Sequence, residues 1–239
     1  MNNSNEIRKL SNLVRPNIAI ITNVSEAHIG NFNSIKDVIK AKAEIFEGIE
    51  NNGNILINRD FEYYDEVIGY NKSLKNINTT TYGINSLSDI ALVNRKVING
   101  GQIITALAYG KKYTYKIIYD GLHQAINSLA VLGALLITKC DIQKGINNLH
   151  HSIVPIGRGN RHNITINGKK SLLIDDSYNA NPSSVIASLK SLKEIAGNNR
   201  KVLILGAMGE LGKFSVPLHN NIYNYLISMD INFVIFVGK

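Results

Sequence analysis

The sequence predicts an α/β fold whose second half is a parallel, doubly wound sheet. Three observations lead there. Apolar runs of strand length, "NIAIIT" (17–22), "GNILIN" (53–58), "SLLIDD" (171–176) and "KVLILG" (201–206), lack the polar alternation of a half-solvated strand. After residue 160 such runs alternate with amphipathic helical stretches, the pattern of βαβ units. Between the halves, a loop carrying Pro155, Gly157 and Gly159 interrupts all periodicity and marks a boundary.

Taken in order, Asn3 with Glu6 reads as a capping box opening a helix over "EIRKLSNLV". The strand at 17–22 follows, then a loop, "VSEAHIGNFN". Ser34 with Asp37 opens a helix running through "SIKDVIKAKAEIFEGI". The strand at 53–58 comes next. Residues 90–119 alternate, with turns at Asn99-Gly100-Gly101 and Gly110-Lys111, and predict a small antiparallel run. "GLHQAINSLAVLGALLITK" is a helix and "DIQKGINNLHH" a shorter one. Beyond the boundary come strands at "HNITIN" and "SLLIDD", a helix over 182–195, a strand at 201–206, a helix over 215–228 and a strand at "INFVIFVG".

The bulk numbers exclude more than they assign. With 239 residues, 44% hydrophobic and 18% charged, the chain can bury a sizeable core. Its formal charge of +8 favours anionic partners. The Lys and Arg residues are scattered, however, so no nucleic-acid-binding arm is expected. A single cysteine, Cys140, rules out an internal disulfide, suits a reducing cytoplasm and reads as a small core residue. The polar start is no signal peptide, and the longest apolar run, "LAVLGALLI", is too short for a bilayer, so no membrane is expected. There is no CxxC, HExxH or GxSxG element.

One stretch carries the chemistry. In "SLLIDDSYNANPSSVIASLKSLKEI" a strand ends in Asp175 and Asp176 at the mouth of a helix. Ligands of doubly wound sheets gather at such strand ends. Asn181 can cap the helix, with Pro182 at its first position. A carboxylate there can hold a ribose or a cation, or do no more than cap the turn. In "VLILGAMGELGKF", Gly206, Gly209 and Gly212 have the spacing of a relaxed dinucleotide fingerprint. No acidic residue ends the next strand, so close packing of a helix on the sheet is the preferred reading. His28, in a loop, and Lys42, in a helix, are not functional on composition alone.

"DDSYNANP" (175–182) resembles a signature of the Mur ligase family, in the branch that joins D-alanyl-D-alanine to UDP-N-acetylmuramoyl-tripeptide. "RPNIAIITNVSEAHIGNFNSIKDVIKAKAEIFEGI", "GLHQAINSLAVLGAL", "PIGRGN" and "LGAMGELGKFSVPLHNNI" resemble further segments of that family in order and spacing. The resemblance implies part of a central P-loop-type ATPase domain (1–155) followed by a truncated Rossmann-like parallel α/β domain (156–239). It implies a cytoplasmic enzyme of peptidoglycan precursor synthesis that uses ATP and Mg2+. ATP phosphorylates a carboxylate, and the dipeptide amine then attacks the acyl phosphate. Lys42 falls on a lysine that is carbamylated in the family and supports the metal, and His28 falls near the same ion. His123 and Asn127 fall near the adenine, Arg158 at the linker reaching the nucleotide, and Asp176 on the ribose. Tyr178, Asn179 and Asn181 fall at the domain interface where the two peptide substrates meet.

The family's phosphate loop, a G-x-x-G-K-[ST] type of sequence, is expected before residue 1, with a metal-binding Glu and a domain for the UDP-sugar. The end of the C-terminal domain is expected beyond residue 239. These 239 residues are therefore expected to be inactive alone, as an inactive remnant or binding module, or to act with a separate chain that carries the loop. Gln124, Ala207, Gly209 and Asn160 depart from the family pattern.

Overall fold

The structure is a computed structural model and describes residues 1–70 and 76–238. Its largest unit is a six-stranded sheet in the order β1-β2-β3-β4-β5-β6. The strands are β1 (Ile18–Ile21), β2 (Asn54–Asn58), β3 (Asn78–Gly83), β4 (Ile90–Ile98), β5 (Gly101–Ala108) and β6 (Lys111–Ile117). The first four pair in parallel and the last three form the antiparallel run expected from alternation. The β5–β6 turn puts Tyr109 and Gly110 both at positive φ, the twist that a two-residue hairpin needs.

The helices in this part are α1 (Glu6–Val14), α2 (Ile35–Ala43), α3 (Tyr64–Gly69), α4 (Leu122–Thr138) and α5 (Ile142–Asn147). Neither α3 nor β3 is expected from the sequence, because "TTTYG" is polar and "YDEVIG" is barely longer than a turn. The Asn3–Glu6 box does not form. Asn5 is the N-cap, in left-handed backbone with no side-chain bond. The buried carboxylate of Glu44 does the capping instead, accepting from the Asn5 and Arg8 backbone N–H groups at 2.7 and 3.2 Å. Ser34 does cap α2, which tightens into a 3-10 helix at Glu44–Gly48. Cys140 is exposed just past the end of α4, contrary to the expectation of a core position.

After residue 159 the chain forms β7 (Asn160–Ile166), β8 (Lys169–Asp175), α6 (Pro182–Ala196), β9 (Val202–Gly206), α7 (Ser215–Ile227) and β10 (Phe233–Val237). β9 and β10 pair in parallel, as expected. The pair β7–β8 is an antiparallel hairpin and not part of a parallel sheet. Its two-residue turn, Asn167-Gly168, again has both φ positive. A turn that short cannot join parallel strands.

Two buried clusters organise the whole. In one, Ala125, Leu129 and Leu132 of α4 meet Leu56, Tyr82 and Ile90 on one face of the large sheet. Gly133 permits this approach, since a Cβ there would stand 2.8 Å from the Leu56 side chain. The other face carries Ile55 and Ile57 of β2, which join Val38 of α2 and Phe46 of the 3-10 helix in a cluster that also takes in Val185 and Leu189 of α6 and Ile222 and Leu226 of α7. The C-terminal part thus shares a buried cluster with the N-terminal part, and its helix α6 also meets α4.

Candidate functional site

The two parts face each other across a cleft. A cavity of about 160 Å³ opens where the loops following β1 and β2 meet the start of α6, lined by Asn23, Glu26, Phe61, Glu62, Tyr63 and Ser183 among others. Parallel strands present ligand sites at their carboxyl ends, and both loops leave such ends. Ser183 donates its hydroxyl to Glu26 at 3.0 Å across the cleft. Burial, followed by the charges of Glu62 and Glu26, raises the Tyr63 phenol above its ordinary range.

Along one flank, charged side chains tie the parts together. Arg95 of β4 holds Glu194 of α6 through Nη1 and Nη2, the Nη1 contact at 3.0 Å. Arg161 of β7 holds Asp120 through Nε and Nη2, the Nε contact at 2.6 Å, with both side chains largely buried. Gly121 follows Asp120 at φ +84, and a Cβ there would lie 2.1 Å from Ser191 Oγ of α6. His123, two residues on, is half-buried. Burial lowers its pKa, and Asp176 on the opposite part is close enough to act against that shift. His123 thus feels a charge from the other part, 53 positions further along the chain (176 − 123). Asn127 is half-buried on the same helix.

The linker and the acidic strand end form one knot. Tyr178 N–H donates to Gly157 O at 3.0 Å, and Gly159 N–H donates to Asp175 O at 2.8 Å. Gly157 has φ +73, and a Cβ there would stand 2.9 Å from Tyr178 N. The Arg158 guanidinium lies over the Tyr178 ring, 4.4 Å from its centroid. Asp175 accepts from Ser177 N–H and Oγ at 3.1 and 2.6 Å, which lowers its pKa. It closes a turn, the bland reading of that residue. Asp176 accepts from Ser188 and is exposed. Asn179 is exposed. Asn181 makes a full capping box with Ser184, with Pro182 leading the helix.

Lys42 is half-buried on α2 with no ion-pair partner among the described residues. Burial lowers its pKa and so favours the neutral, nucleophilic amine. His28 sits at φ 65 in the loop after β1, with Nδ1 2.5 Å from Glu210 Oε2. Among the described residues, no three His, Cys, Asp or Glu side chains gather as a metal centre.

Sequence reasoning missed Glu210, Asp120, Arg161, Arg95, Glu194 and Glu26. Glu210 lies inside the glycine pattern, between Gly209 and Gly212, and nothing local marks it out. Gly206 and Gly209 border open space, while Gly212 abuts Gly30 of the other part. The glycine pattern therefore does not serve close packing of a helix on the sheet.

Comparison with known proteins covers the chain end to end. Residues 1–135 match the Mur ligase middle domain, and residues 160–239 match the Mur ligase, glutamate ligase domain. The UDP-N-acetylmuramoyl-tripeptide--D-alanyl-D-alanine ligase of Rickettsia prowazekii is 33% identical over 239 residues, 100% of this chain and 52% of that protein. The Escherichia coli enzyme of the same name is 31% identical over 245 residues, 100% of this chain and 51% of its own length. A crystal structure of MurF from Acinetobacter baumannii superposes with TM-score 0.89 at 25% identity, covering 100% of this chain and 50% of that one. MurF ligase from Thermotoga maritima, solved with ADP, superposes at 0.83 with 24% identity over 100% of this chain and 52% of its own, and supports the fold. The chain spans about half the length of the relatives it matches.

Proposed function

The chain belongs to the Mur ligase family, and from that premise we propose that it is part of an ATP-dependent amide-bond ligase joining D-alanyl-D-alanine to UDP-N-acetylmuramoyl-tripeptide, a step of peptidoglycan precursor synthesis. The observation that carries the reading is the match of the whole chain to ligases of that name from several bacteria. We place the boundary between the two domains at 155/156. The cleft between them is where ATP phosphorylates the tripeptide carboxylate and the dipeptide amine displaces phosphate.

Each residue has a task in this scheme. His123, kept neutral by burial, packs with Asn127 beside the adenine. Asp176 accepts from the ribose hydroxyls, and Arg158, braced on Tyr178, meets the nucleotide at the linker. Asn181 fixes the start of α6, so that Tyr178 and Asn179 stand at the peptide side. Lys42 has an amine poised to take up CO2, and the carbamate would give one oxygen ligand to Mg2+, with His28 nearby. The residues present fit part of a Mg2+ shell and not a whole one, because Mg2+ asks for six ligands, mostly oxygens. When bound, the ion neutralises phosphate charge.

A second reading is that these 239 residues act only as a binding module. It is favoured by the absence of any G-K-S or G-K-T sequence among them, since such a loop cradles the phosphates of ATP. A separate chain carrying that loop would then complete the site. No helix among the described residues is long and apolar enough to cross a membrane. A nucleotide-linked substrate fits a cytoplasmic reaction.

The test is phosphate release with MgATP, UDP-N-acetylmuramoyl-tripeptide and D-alanyl-D-alanine. The 239-residue chain is expected to be silent alone and active with a chain that supplies the loop. Turnover by the chain alone overturns the need for the loop. Failure to form the amide product with the loop supplied overturns the ligase assignment.

A further inference from the structure

The loop after β1 and the loop after β9 meet through bare backbone. Gly30 N–H donates to Glu210 O at 2.8 Å. A Cβ at Gly30 would stand 2.5 Å from that oxygen and 2.6 Å from Gly212 N, and one at Gly212 would stand 2.9 Å from Gly30 Cα. Real Cβ atoms do not approach backbone so closely, so both positions need glycine. Beside each glycine sits a residue with a side chain in left-handed backbone, His28 at φ 65 and Glu210 at φ 59. Such conformations are costly and persist where surroundings impose them. Here they turn the two side chains onto each other.

The loop bearing Glu210 is fixed before it reaches His28. His219 donates from Nδ1 to Ser215 O at 2.8 Å and accepts the Met208 N–H on Nε2 at 3.1 Å. Met208 and Leu211, on either side of Glu210, are buried in the cluster shared by both parts. The carboxylate is thus presented on an anchored turn.

An ionised carboxylate can only accept, so the His28 nitrogen facing it, Nδ1, carries the proton. In the neutral ring, Nε2 then holds the free lone pair. A free histidine prefers the opposite tautomer, with the proton on Nε2, and the partner of one ring nitrogen decides what the other can do. We propose that Glu210 is a positioning residue that sets His28 as an Nε2 lone-pair donor toward a cation or hydrogen-bond donor, and that it does so only while the two loops are in contact. Contact with the C-terminal part thereby sets the chemistry of a residue in the N-terminal part. The proposal rests on the reading of His28 as a site residue.

The test is an imidazole 15N correlation spectrum of the 239-residue chain, taken well above the ordinary imidazole pKa, with His28 assigned by comparison with His28→Gln. The wild-type ring is expected to carry its proton on Nδ1. Glu210→Ala should make the Nε2–H tautomer the majority form. Gly30→Ala should do the same by prising the loops apart while both side chains remain. Glu210→Gln, whose amide oxygen still accepts, should restore the Nδ1–H ring. A wild-type ring with its proton on Nε2, or an Nδ1–H ring that survives Glu210→Ala, overturns the proposal. The wild-type spectrum decides even if a variant fails to fold. No nucleotide, metal or turnover enters this readout, so it can fail while the phosphate-release assay supports the ligase, and the reverse.

Discussion

β2 and β9 are both five-residue strands with apolar centres in parallel pairs, yet they live in different surroundings. Ile55, Leu56 and Ile57 of β2 are wholly buried, because α4 covers one face of the sheet and the shared cluster covers the other. On β9, Leu203 and Leu205 turn toward the shared cluster, whereas Ile204 on the opposite face is 63% exposed. Phe236 on the neighbouring strand is 60% exposed. Two strands with the same local pattern thus contribute very differently to the core. Burial of both faces is a property of the layers around a strand and not of the strand.

The largest expected effect tests that contrast directly. Leu56→Ala should lower stability by about 2–5 kcal/mol, because the Leu56 side chain is wholly buried against α4 at Gly133 and its removal opens a cavity there. Ile204→Ala should cost under about 1 kcal/mol, as a surface change. Urea denaturation of both variants checks the pair, and equal losses would break the comparison.

The contacts between the two parts sharpen it next. Asp120 and Arg161 have side-chain exposures of 14% and 25%, so a double-mutant cycle should give a coupling of about 1–2 kcal/mol. The Arg8–Glu47 pair, more open at 38% and 41%, should couple less and fade sooner with added salt. Equal salt sensitivity in the two pairs would count against burial as the cause.

Smaller again is the start of α6. Asn181→Ala should cost about 1 kcal/mol, and Asn181→Ser should recover most of it, both read by thermal unfolding. The least effect is a pH dependence at His123. Burial lowers its folded pKa, so the unfolded chain binds the proton first as pH falls below the ordinary imidazole range near 6.5. Stability should therefore be full above that range and decline as pH drops through it. His123→Gln should flatten the decline, and an unchanged profile would remove His123 as its source.

Much of the scaffold was legible in the sequence, for reasons visible in single residues. The runs at 17–22 and 53–58 have unbroken apolar centres, so β1 and β2 announce themselves, and the alternation of 90–119 foretells the β4–β5–β6 run. β3 is silent because its threonines face neighbours that only the sheet supplies, as where Thr81 bonds Asp89 through both N–H and Oγ. The hairpin β7–β8 departs from the βαβ pattern of its surroundings, and its local signal is the Asn167-Gly168 turn. At the candidate site, Asn181 and Asp175 act within their own turns and could be read locally. Glu210 could not, since its meaning lies in His28, 182 positions away. The same holds for Asp120, whose partner Arg161 follows 41 positions later.

That separation of 182 positions also sets an order of assembly. The hairpins β5–β6 and β7–β8 close over two-residue turns and can form as soon as their own residues are available. The Gly30–Gly212 crossing must wait, because closing so long a loop brings no reward until the sheets stand and the cluster shared by the two parts has formed. The last contact made in folding is then the first released on partial opening. Hydrogen exchange at the Gly30 amide should report that opening as a cooperative event distinct from global unfolding.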